Sequence, residues 1–288
     1  MGVDRIVGIF VALLALGLVF GLLERFFRTR PGPAWYRRPD TRTDLAYWFF
    51  TPLVTRGVTR LGAGLAVLLV VVLAGGSVAE FRAEIASGAF PDLGIFGMGE
   101  SIRALPLYLQ FPLGLLAGDF FGYWLHRAFH RGRLWQFHAI HHSSPRLDWL
   151  SSVRVHPVND LGNRVLQAVP LLLLGFDPLV FALYAPFTTL YAILLHADVN
   201  WSFGPGRYLL ASPMFHRWHH SSEDEGRDKN FAGLFPVFDL LFGTFHFPPG
   251  ELPRTLGTPA TPVPAGFWRQ LLYPFRRPRT TLPLAADV

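Results

Sequence analysis

Cysteine is absent from the 288 residues, and lysine occurs once, at Lys229. Without cysteine the chain can form no disulfide, no thiolate metal site and no thiol nucleophile. Any metal must therefore be held by histidine, carboxylate or amide oxygen. Charged residues are also scarce, at 16% of the chain, against about a quarter in ordinary soluble proteins. This scarcity argues against a soluble globular protein.

Hydrophobic residues are abundant instead, at 51% of the chain, with 15% aromatic residues and a mean hydropathy of +0.30. This balance is typical of a bilayer protein with aromatic interfaces. The net charge of +6 comes from arginine. The arginines lie beside apolar segments, which fits anionic lipid headgroups. The sequence contains no module of aromatic and basic residues of the kind that binds nucleic acid.

Long apolar runs predict helices that cross or enter a bilayer, whose core of about 30 Å takes about 20 helical residues. The first run is interpreted as a retained anchor, because no small-residue cleavage site follows it. The second is expected to extend upstream through residues 47–50. The fourth is too long for one span and is broken at residues 175–178, which predicts a helical hairpin. The runs are Ile6–Leu23, Leu61–Gly76, Ala104–Trp124 and Val165–Leu195.

These runs predict an all-α integral membrane bundle with four or five spanning or re-entrant segments. Residues 24–44 contain six arginines and three acids, whereas residues 77–103 contain two arginines and four acids. By the positive-inside rule the first loop is cytoplasmic, which places the histidine clusters on the cytoplasmic side. We expect membrane anchor helices in residues 1–103, a catalytic domain in residues 104–248 and an irregular proline-rich tail in residues 249–288.

Nine of the eleven histidines form a pattern. One cluster has the spacing H-x-x-x-H and two have H-x-x-H-H, so each can direct several imidazoles to one face of a helix. Imidazole binds iron, zinc, copper and nickel, and one metal would not need nine rings. The sequence therefore predicts a pair of metals. The histidines are His126 and His130, then His138, His141 and His142, then His216, His219 and His220, with His196 alone between the second and third clusters.

A metal-bound histidine usually donates its second ring N–H to an oxygen acceptor. Five aspartates, Asp119, Asp160, Asp198, Asp228 and Asp239, lie near the clusters in sequence. For Asp160 and Asp228 we favour a helix cap or a solvated loop instead. The two remaining histidines, His156 and His246, are expected to support the site or the fold rather than bind metal.

The clusters sit in longer motifs that resemble the histidine boxes of the fatty acid hydroxylase and sterol desaturase superfamily. The resemblance covers residues 115–248, and the motifs occur in the family's order. The motifs are DFFGYWLHRAFH at residues 119–130, LWQFHAIHHS at 134–143, SVRVHP at 152–157, HADVN at 196–200, PMFHRWHHS at 213–221, and NF with FDLLFGT at 230–244.

The resemblance implies a helical membrane domain with a cytoplasmic cap that holds two irons between the boxes. The ligands carried over are the eight clustered histidines and the isolated His196. Asn200 stands four residues after His196, where some relatives have another histidine, so it is expected to bind metal directly, through water or not at all. The R-x-H-P motif raises the expectation that His156 supports the ligands.

The family also implies hydroxylation or desaturation of a lipid C–H bond with dioxygen as co-substrate. The sequence does not distinguish these two outcomes, and the lipid stays open between a sterol, a fatty acyl and an ether lipid. No flavin, nicotinamide or haem-binding segment is recognisable, so an external electron-donor protein is implied.

Two alternatives stay open on the residues alone. The first is a membrane zinc hydrolase, in which metal-bound water would attack an ester. The chain has no H-E-x-x-H arrangement to support it. The second is a metal transporter, which predicts ionisable residues inside several spans. Only Asp119 and Asp177 meet that description.

Overall fold

A computed structural model describes residues 2–276 except residues 33, 74, 88–98 and 259–261. Within these residues the chain is helical, and its β pairing is one isolated bridge between Ser221 and Leu256. The predicted all-α class is confirmed. The helices are α1 Gly2–Phe27, α2 Thr41–Phe50, α3 Arg56–Leu73, α4 Val78–Ala86, α5 Gly99–Arg103, α6 Leu107–Phe129, α7 Trp135–His142, α8 Pro157–Leu174, α9 Pro178–His196, α10 Pro213–His219, α11 Val237–Leu241 and α12 Phe267–Leu271.

Three helical stretches of the described chain are long and apolar enough to cross a membrane, namely Val3–Phe27, Thr41–Leu73 and Leu179–His196. The second joins α2 to α3 through a π-helical turn at Thr51–Thr55, as the upstream extension predicted. In the most apolar windows of the first two stretches only 11% of residues are buried. So many outward-facing apolar side chains are expected where helices contact lipid, which supports membrane association of the chain.

The third apolar run also forms a helix, α6, but α6 is not among these three stretches. Buried polar residues along it, Gln110 and Asp119, lower its hydropathy. The number of spanning segments therefore stays a prediction.

The fourth run forms the expected hairpin of α8 and α9. Gly175 ends α8 in the left-handed region at φ 84°, and a Cβ there would lie 2.4 Å from the Cα of Gly99. Both the backbone conformation and the close approach require glycine. The Asp177 carboxylate then accepts the N–H of Leu179 at 2.7 Å and begins α9. The hairpin starts at Pro157, upstream of the apolar run, because His156 caps α8.

Small residues on α6 bring it close to α9. A Cβ at Gly118 would lie 2.4 Å from the Tyr184 hydroxyl, and one at Gly114 would lie 2.8 Å from Val180. Because glycine has no Cβ, α6 and α9 approach each other closely at these two positions. Helices α6, α8 and α9 thereby form one packed unit.

A buried ionic network joins α2 to the turn Trp149–Val153 that precedes α8. Arg38 contacts Asp44 at 2.7 Å and Asp148 at 2.6 Å, and Arg154 contacts Asp44 at 2.6 Å. Asp44 and both arginines are at most 5% exposed. Because each buried charge has a partner, the network fixes the N-terminal helices against the histidine boxes.

The C-terminal segment, for which irregular chain was predicted, contains α12. Phe267 packs edge-on against Tyr47 with ring centroids 4.8 Å apart, and Phe275 packs against Phe137 of α7 at 5.7 Å. These aromatic contacts supply the burial that orders a short helix.

Candidate metal centre

Four helices, α6, α7, α9 and α10, bring the nine histidines together. His126 and His130 lie at the end of α6, His196 ends α9, and α7 carries the second cluster. The third cluster occupies α10, where Ser212 accepts the N–H of Phe215 at 3.2 Å and Pro213 takes the first helical position. This cap and proline begin a short helix at a fixed residue.

The histidines form two groups, within each of which the ligand nitrogens all lie within 4.8 Å of one another. The five-histidine group contains His126, His130, His138, His142 and His219, and the four-histidine group contains His141, His196, His216 and His220. The groups adjoin, because the rings of His142 and His220 stack with centroids 4.3 Å apart. The structure thus brings together every histidine that was predicted as a ligand.

Each H-x-x-H-H motif serves both groups. His138 and His142, four residues apart on one face of α7, join the five-histidine group, whereas His141 joins the other. His216 and His220 likewise share the four-histidine group, and the intervening His219 joins the first. Helical spacing explains this division, since i and i+4 side chains lie on one face and the intervening ring is offset.

Five rings place Nδ1 within hydrogen-bond distance of an oxygen that accepts. The carbonyl of Phe231 lies 2.7 Å from His126 and that of Lys229 lies 2.8 Å from His219. A neutral imidazole that donates through Nδ1 presents a lone pair on Nε2, as metal binding requires. The other three contacts are His130 to Asp228 at 3.1 Å, His138 to Asn159 Oδ1 at 2.7 Å, and His196 to the Ala192 carbonyl at 2.7 Å.

These tautomers leave lone pairs facing one another. The Nε2 atoms of His126 and His138 are 3.0 Å apart, and neither has a proton to donate. The Nε2 atoms of His130 and His219 are buried without any partner in the described chain. Of the four, His138 alone has a further ring nitrogen within reach, the Nε2 of His142 at 3.1 Å. Buried acceptors without donors cost free energy, and a cation among these rings would satisfy all four. The five-histidine group therefore fits a metal ion.

The four-histidine group is less firmly oriented. Its Nε2 atoms approach in a chain, with His141 to His196 at 3.1 Å and His216 to His220 at 3.1 Å. The Nδ1 atoms of His141, His216 and His220 are buried without a partner in the described chain. Only His196 has an oxygen acceptor. The donor atoms again fit a cation, but their orientation rests on packing.

Burial sets the protonation state. Desolvation, assisted by neighbouring imidazoles, lowers the pKa well below its ordinary value for His138, His141, His142, His216, His219 and His220. A ring with a low pKa is neutral at physiological pH and can offer its lone pair to a metal.

Two of the predicted supporting acids act through the backbone instead of contacting a ring. Asp119 accepts the N–H groups of Gly233, Leu234 and Phe235 at 2.7–3.0 Å. Asp239 accepts the N–H of Phe231 at 2.8 Å. The Phe231 carbonyl is the acceptor for His126, so Asp239 positions that acceptor.

Three other predicted supporting residues form no hydrogen bond to a ligand histidine in the described chain. Asp198 pairs with Arg217 at 2.9 Å. Asn200 is exposed, and its N–H donates to the Phe27 carbonyl at 2.8 Å. His156 accepts the N–H of Val158 at 3.1 Å, which makes it the cap of α8.

His246 also lies outside the groups, and its ring packs edge-on against Trp218 with centroids 4.7 Å apart. Asp160 pairs with Arg164 within α8 at 2.9 Å, consistent with a local role. The preference for a cap or solvated loop was wrong for Asp228, which contacts His130. Its position at φ 55° turns the loop back towards that ring.

Sequence reasoning missed Asn159, the partner of His138. No spacing relates it to a histidine box, because it lies on α8, 21 residues after His138. The one available signal is the cap at His156, which begins α8 and places Asn159 in its first turn.

A cavity of about 220 Å³ lies between α6, α8 and α9 and opens onto both histidine groups. His126 and His138 line it from the first group, and His141, His196 and His216 line it from the second. A small organic group in this cavity would lie beside the metal ligands.

Comparison with known proteins gave consistent matches. A fatty acid hydroxylase family model matches residues 111–244. Ornithine lipid hydroxylase OlsE of Rhizobium tropici is 30% identical over 269 residues, which cover 93% of this chain and 75% of the relative.

More distant relatives match a shorter region. Alkylglycerol monooxygenases of Danio rerio and Homo sapiens are each 34% identical, over 46% and 45% of this chain. The matched region spans 30% and 29% of those two proteins. No solved structure matches the chain.

Proposed function

The chain belongs to the fatty acid hydroxylase superfamily, as its histidine boxes predicted, and from this premise we propose that it oxidises a lipid C–H bond at two irons held by the nine histidines. The two irons would occupy the five-histidine and the four-histidine groups. Dioxygen would be the co-substrate, and electrons would come from a separate donor protein. Hydroxylation is favoured over desaturation, because the first relative is a hydroxylase and the next are monooxygenases.

One observation carries the proposal. Four Nε2 lone pairs of the five-histidine group converge in a buried site, and in the described chain only the Nε2 of His142, 3.1 Å from His138, is placed to donate to one of them. Bound iron would supply the oxidising power, by activating dioxygen against an unactivated C–H bond. Nitrogen ligands of this type suit iron, zinc and copper alike, and the lipid-oxidising relatives favour iron.

The protein itself orients the metal ligands and the lipid, and it excludes water from the site. Nδ1 contacts to Phe231, Lys229, Asn159 and Asp228 hold the rings with their lone pairs inward. Asp119 fixes the loop at residues 233–235, which forms one wall of the cavity. The cavity then holds part of the lipid beside the ligands and keeps bulk water out.

The relatives also bear on the two alternatives. Each ligand group in the described chain contains histidine alone. The one carboxylate that lines the cavity there, Asp119, already accepts three backbone N–H groups, which disfavours it as the general base of a zinc hydrolase. The lipid-oxidising activities named for the relatives favour oxidation over hydrolysis and over metal transport.

An arginine-lined cleft that shares no lining residue with the lipid cavity is our proposed docking site for the electron donor. It encloses about 250 Å³, and its lining includes Arg30, Arg146 and Arg254. These three side chains are exposed and have no acidic partner in the described chain. An acidic donor protein would complement this surplus charge.

Asp198 and Arg217 also line the cleft. Arg217 follows the ligand His216, and Asp198 is two residues after the ligand His196. An electron carrier in the cleft would therefore lie close to the four-histidine group.

Metal analysis tests the central proposal. Protein purified from iron-replete cells is expected to carry about two irons per chain, and the double variant H138A/H219A should lose the iron of the five-histidine group. A matched H246A variant, altered outside both groups, should keep wild-type iron. Stoichiometric zinc that cannot be replaced by ferrous iron, or folded wild-type protein without metal, would overturn the oxygenase proposal.

Charge reversal tests the donor site. The triple variant R30E/R146E/R254E should lose most of its electron-transfer rate from an acidic [2Fe–2S] ferredoxin, and the wild-type rate should fall with salt. The exposed Arg269 lies on α12 outside the cleft and provides the control R269E. Equal rates in the triple variant and the control would contradict docking at the cleft.

A further inference from the structure

A polar stripe runs along α8 from the metal groups into the lipid cavity. Asn159, Asn163 and Gln167 are spaced four residues apart and all line the cavity. Such spacing places side chains on one helix face. At a rise of 1.5 Å per residue, Asn163 and Gln167 lie about 6 and 12 Å along the axis from Asn159.

The three amides differ in their partners. Asn159 accepts from the ring of His138, whereas the amides of Asn163 and Gln167 form no hydrogen bond within the described chain. The hydroxyl of Tyr184, on the facing helix α9, also lines the cavity without a hydrogen bond to the described chain. By contrast, the Tyr191 hydroxyl donates to the Ala211 carbonyl at 2.5 Å.

Asn163 and Gln167 are half-buried and Tyr184 is buried. When lipid fills the cavity, polar groups that lack a partner there are costly unless the lipid itself supplies one. Leucine would fill the same positions at no such cost if the cavity held only hydrocarbon. The residue of α6 that faces the Gln167 side chain is Gly122. A Cβ there would lie 3.1 Å from the Gln167 amide nitrogen, so glycine leaves room for that amide.

We propose that Asn163, Gln167 and Tyr184 bind hydrogen-bonding atoms of the lipid, such as an amide, hydroxyl, ether or ester. At about 1.5 Å per bond, a separation of about 6–12 Å along the helix corresponds to at least about four to eight bonds between the bound heteroatom and the C–H bond beside the histidines. The substrate is a lipid with a polar group at about this distance from the oxidised carbon, and a hydrocarbon chain without such a group is not the target. This inference rests on the proposed lipid oxidation at the same site.

Lipid binding to the iron-loaded protein provides a test that does not depend on turnover. The probes are N-hexadecanoylethanolamine, which has an amide and a hydroxyl, and 1-octadecene, a chain of similar length without either. The variant N163L/Q167M keeps side-chain volume but removes both amides. Leu166 faces outward on the same helix, with 42% exposure, and provides the control L166M.

We expect N163L/Q167M to bind the ethanolamide at least about tenfold more weakly than wild type, as loss of buried hydrogen bonds implies. Octadecene binding and iron content should not change, and L166M should match wild type. Equal loss of both probes, or no loss, would overturn the inference. If the double variant does not fold, G122A, which displaces only the Gln167 amide, should still weaken ethanolamide binding selectively.

The position of the inserted oxygen separates this inference from the function on which it rests. Mass spectrometry of the oxidised ethanolamide should place oxygen on a carbon about four to eight bonds from the amide or hydroxyl. Oxygen at the methyl end of the chain would overturn the inference while supporting lipid oxidation. Selective binding without any oxidation would support the polar-group inference and count against the oxygenase function.

Discussion

His138 and Asn159 form a direct side-chain hydrogen bond between a metal group and the lipid cavity wall. The Nδ1 atom of His138 lies 2.7 Å from Oδ1 of Asn159, and both residues are at most 4% exposed. Because a buried amide oxygen only accepts, the contact fixes the proton of His138 on Nδ1. The same residue begins the polar stripe of α8, so metal and lipid are aligned through one side chain.

Replacement of Asn159 by leucine should therefore lower metal affinity at the five-histidine group. Loss of an outer partner of a ligating histidine typically costs 10–100-fold in affinity, and we expect a loss of about that size. Chelator competition with wild-type and N159L protein measures it. N159D, which keeps an acceptor, is the matched control and should stay within a few-fold of wild type. Unchanged affinity in N159L would contradict this role.

The two metals should leave the protein at different rates. Four rings of the five-histidine group have an oxygen acceptor at Nδ1, whereas among the residues that the structure describes only His196 provides such a contact in the other group. Weaker orientation lowers affinity, so a chelator should remove iron in two phases, with the four-histidine group first and about tenfold faster. H220A should abolish the fast phase and leave the slow one. Release in a single phase would show that the acceptors do not govern retention.

Much of the site could be predicted from the sequence, because ligand spacing is local. The spacing of His138, His141 and His142 indicated one helix with several inward rings, and α7 is that helix. Helical spacing sets His141 apart from His138 and His142, but the histidines of other helices that complete each group were not predictable, since they depend on where α6, α9 and α10 approach α7. The roles of Asn159 and Asp228 could not be predicted from the sequence for the same reason. Each meets its histidine through tertiary packing, at a separation to which no helical period applies.

The fold, like the site, was predictable where its signals are local in the sequence. Apolar length predicted α1 and α9, and Gly175 with Asp177 marked the turn of the hairpin. The short helix α12 has only five residues, too few for a periodic signal. Its order comes from aromatic contacts with residues far away in sequence, such as Tyr47.

Asp228 should support His130 through its oxygen alone. Because its φ is 55°, glycine removes the side chain without backbone strain. D228G should weaken metal binding by about tenfold, whereas D228N should remain close to wild type. The side chain of Asp224 is 88% exposed and pairs only with Arg227, so D224G is the control in the same loop. Equal affinities in D228G and D224G would refute the contribution of Asp228.

Loss of the Asp44 carboxylate should destabilise the whole domain. Asp44 is fully buried between Arg38 and Arg154, and its removal leaves two buried guanidinium groups short of a partner. Breaking such a pair costs about 3–5 kcal/mol. Unfolding of D44A in micelles, followed by circular dichroism, should show a loss of that order. D160A breaks the partly exposed pair with Arg164 and should cost about 0.5 kcal/mol. Similar losses in both variants would contradict the network's role.

Two glycines on α6 should respond in opposite ways to alanine. A Cβ at Gly122 meets the end of the flexible Gln167 side chain at 3.1 Å, whereas one at Gly118 meets the packed ring of Tyr184 at 2.7 Å. G118A should therefore destabilise the fold by about 1–3 kcal/mol through overpacking. G122A should leave stability unchanged or raise it by up to about 1 kcal/mol, because alanine favours the helix. It should instead weaken binding of an amide-bearing lipid several-fold. Unfolding midpoints and lipid binding measured on both variants test these opposite expectations. Strong destabilisation of G122A would contradict them and would show that Gln167 is held rigidly in the cavity wall.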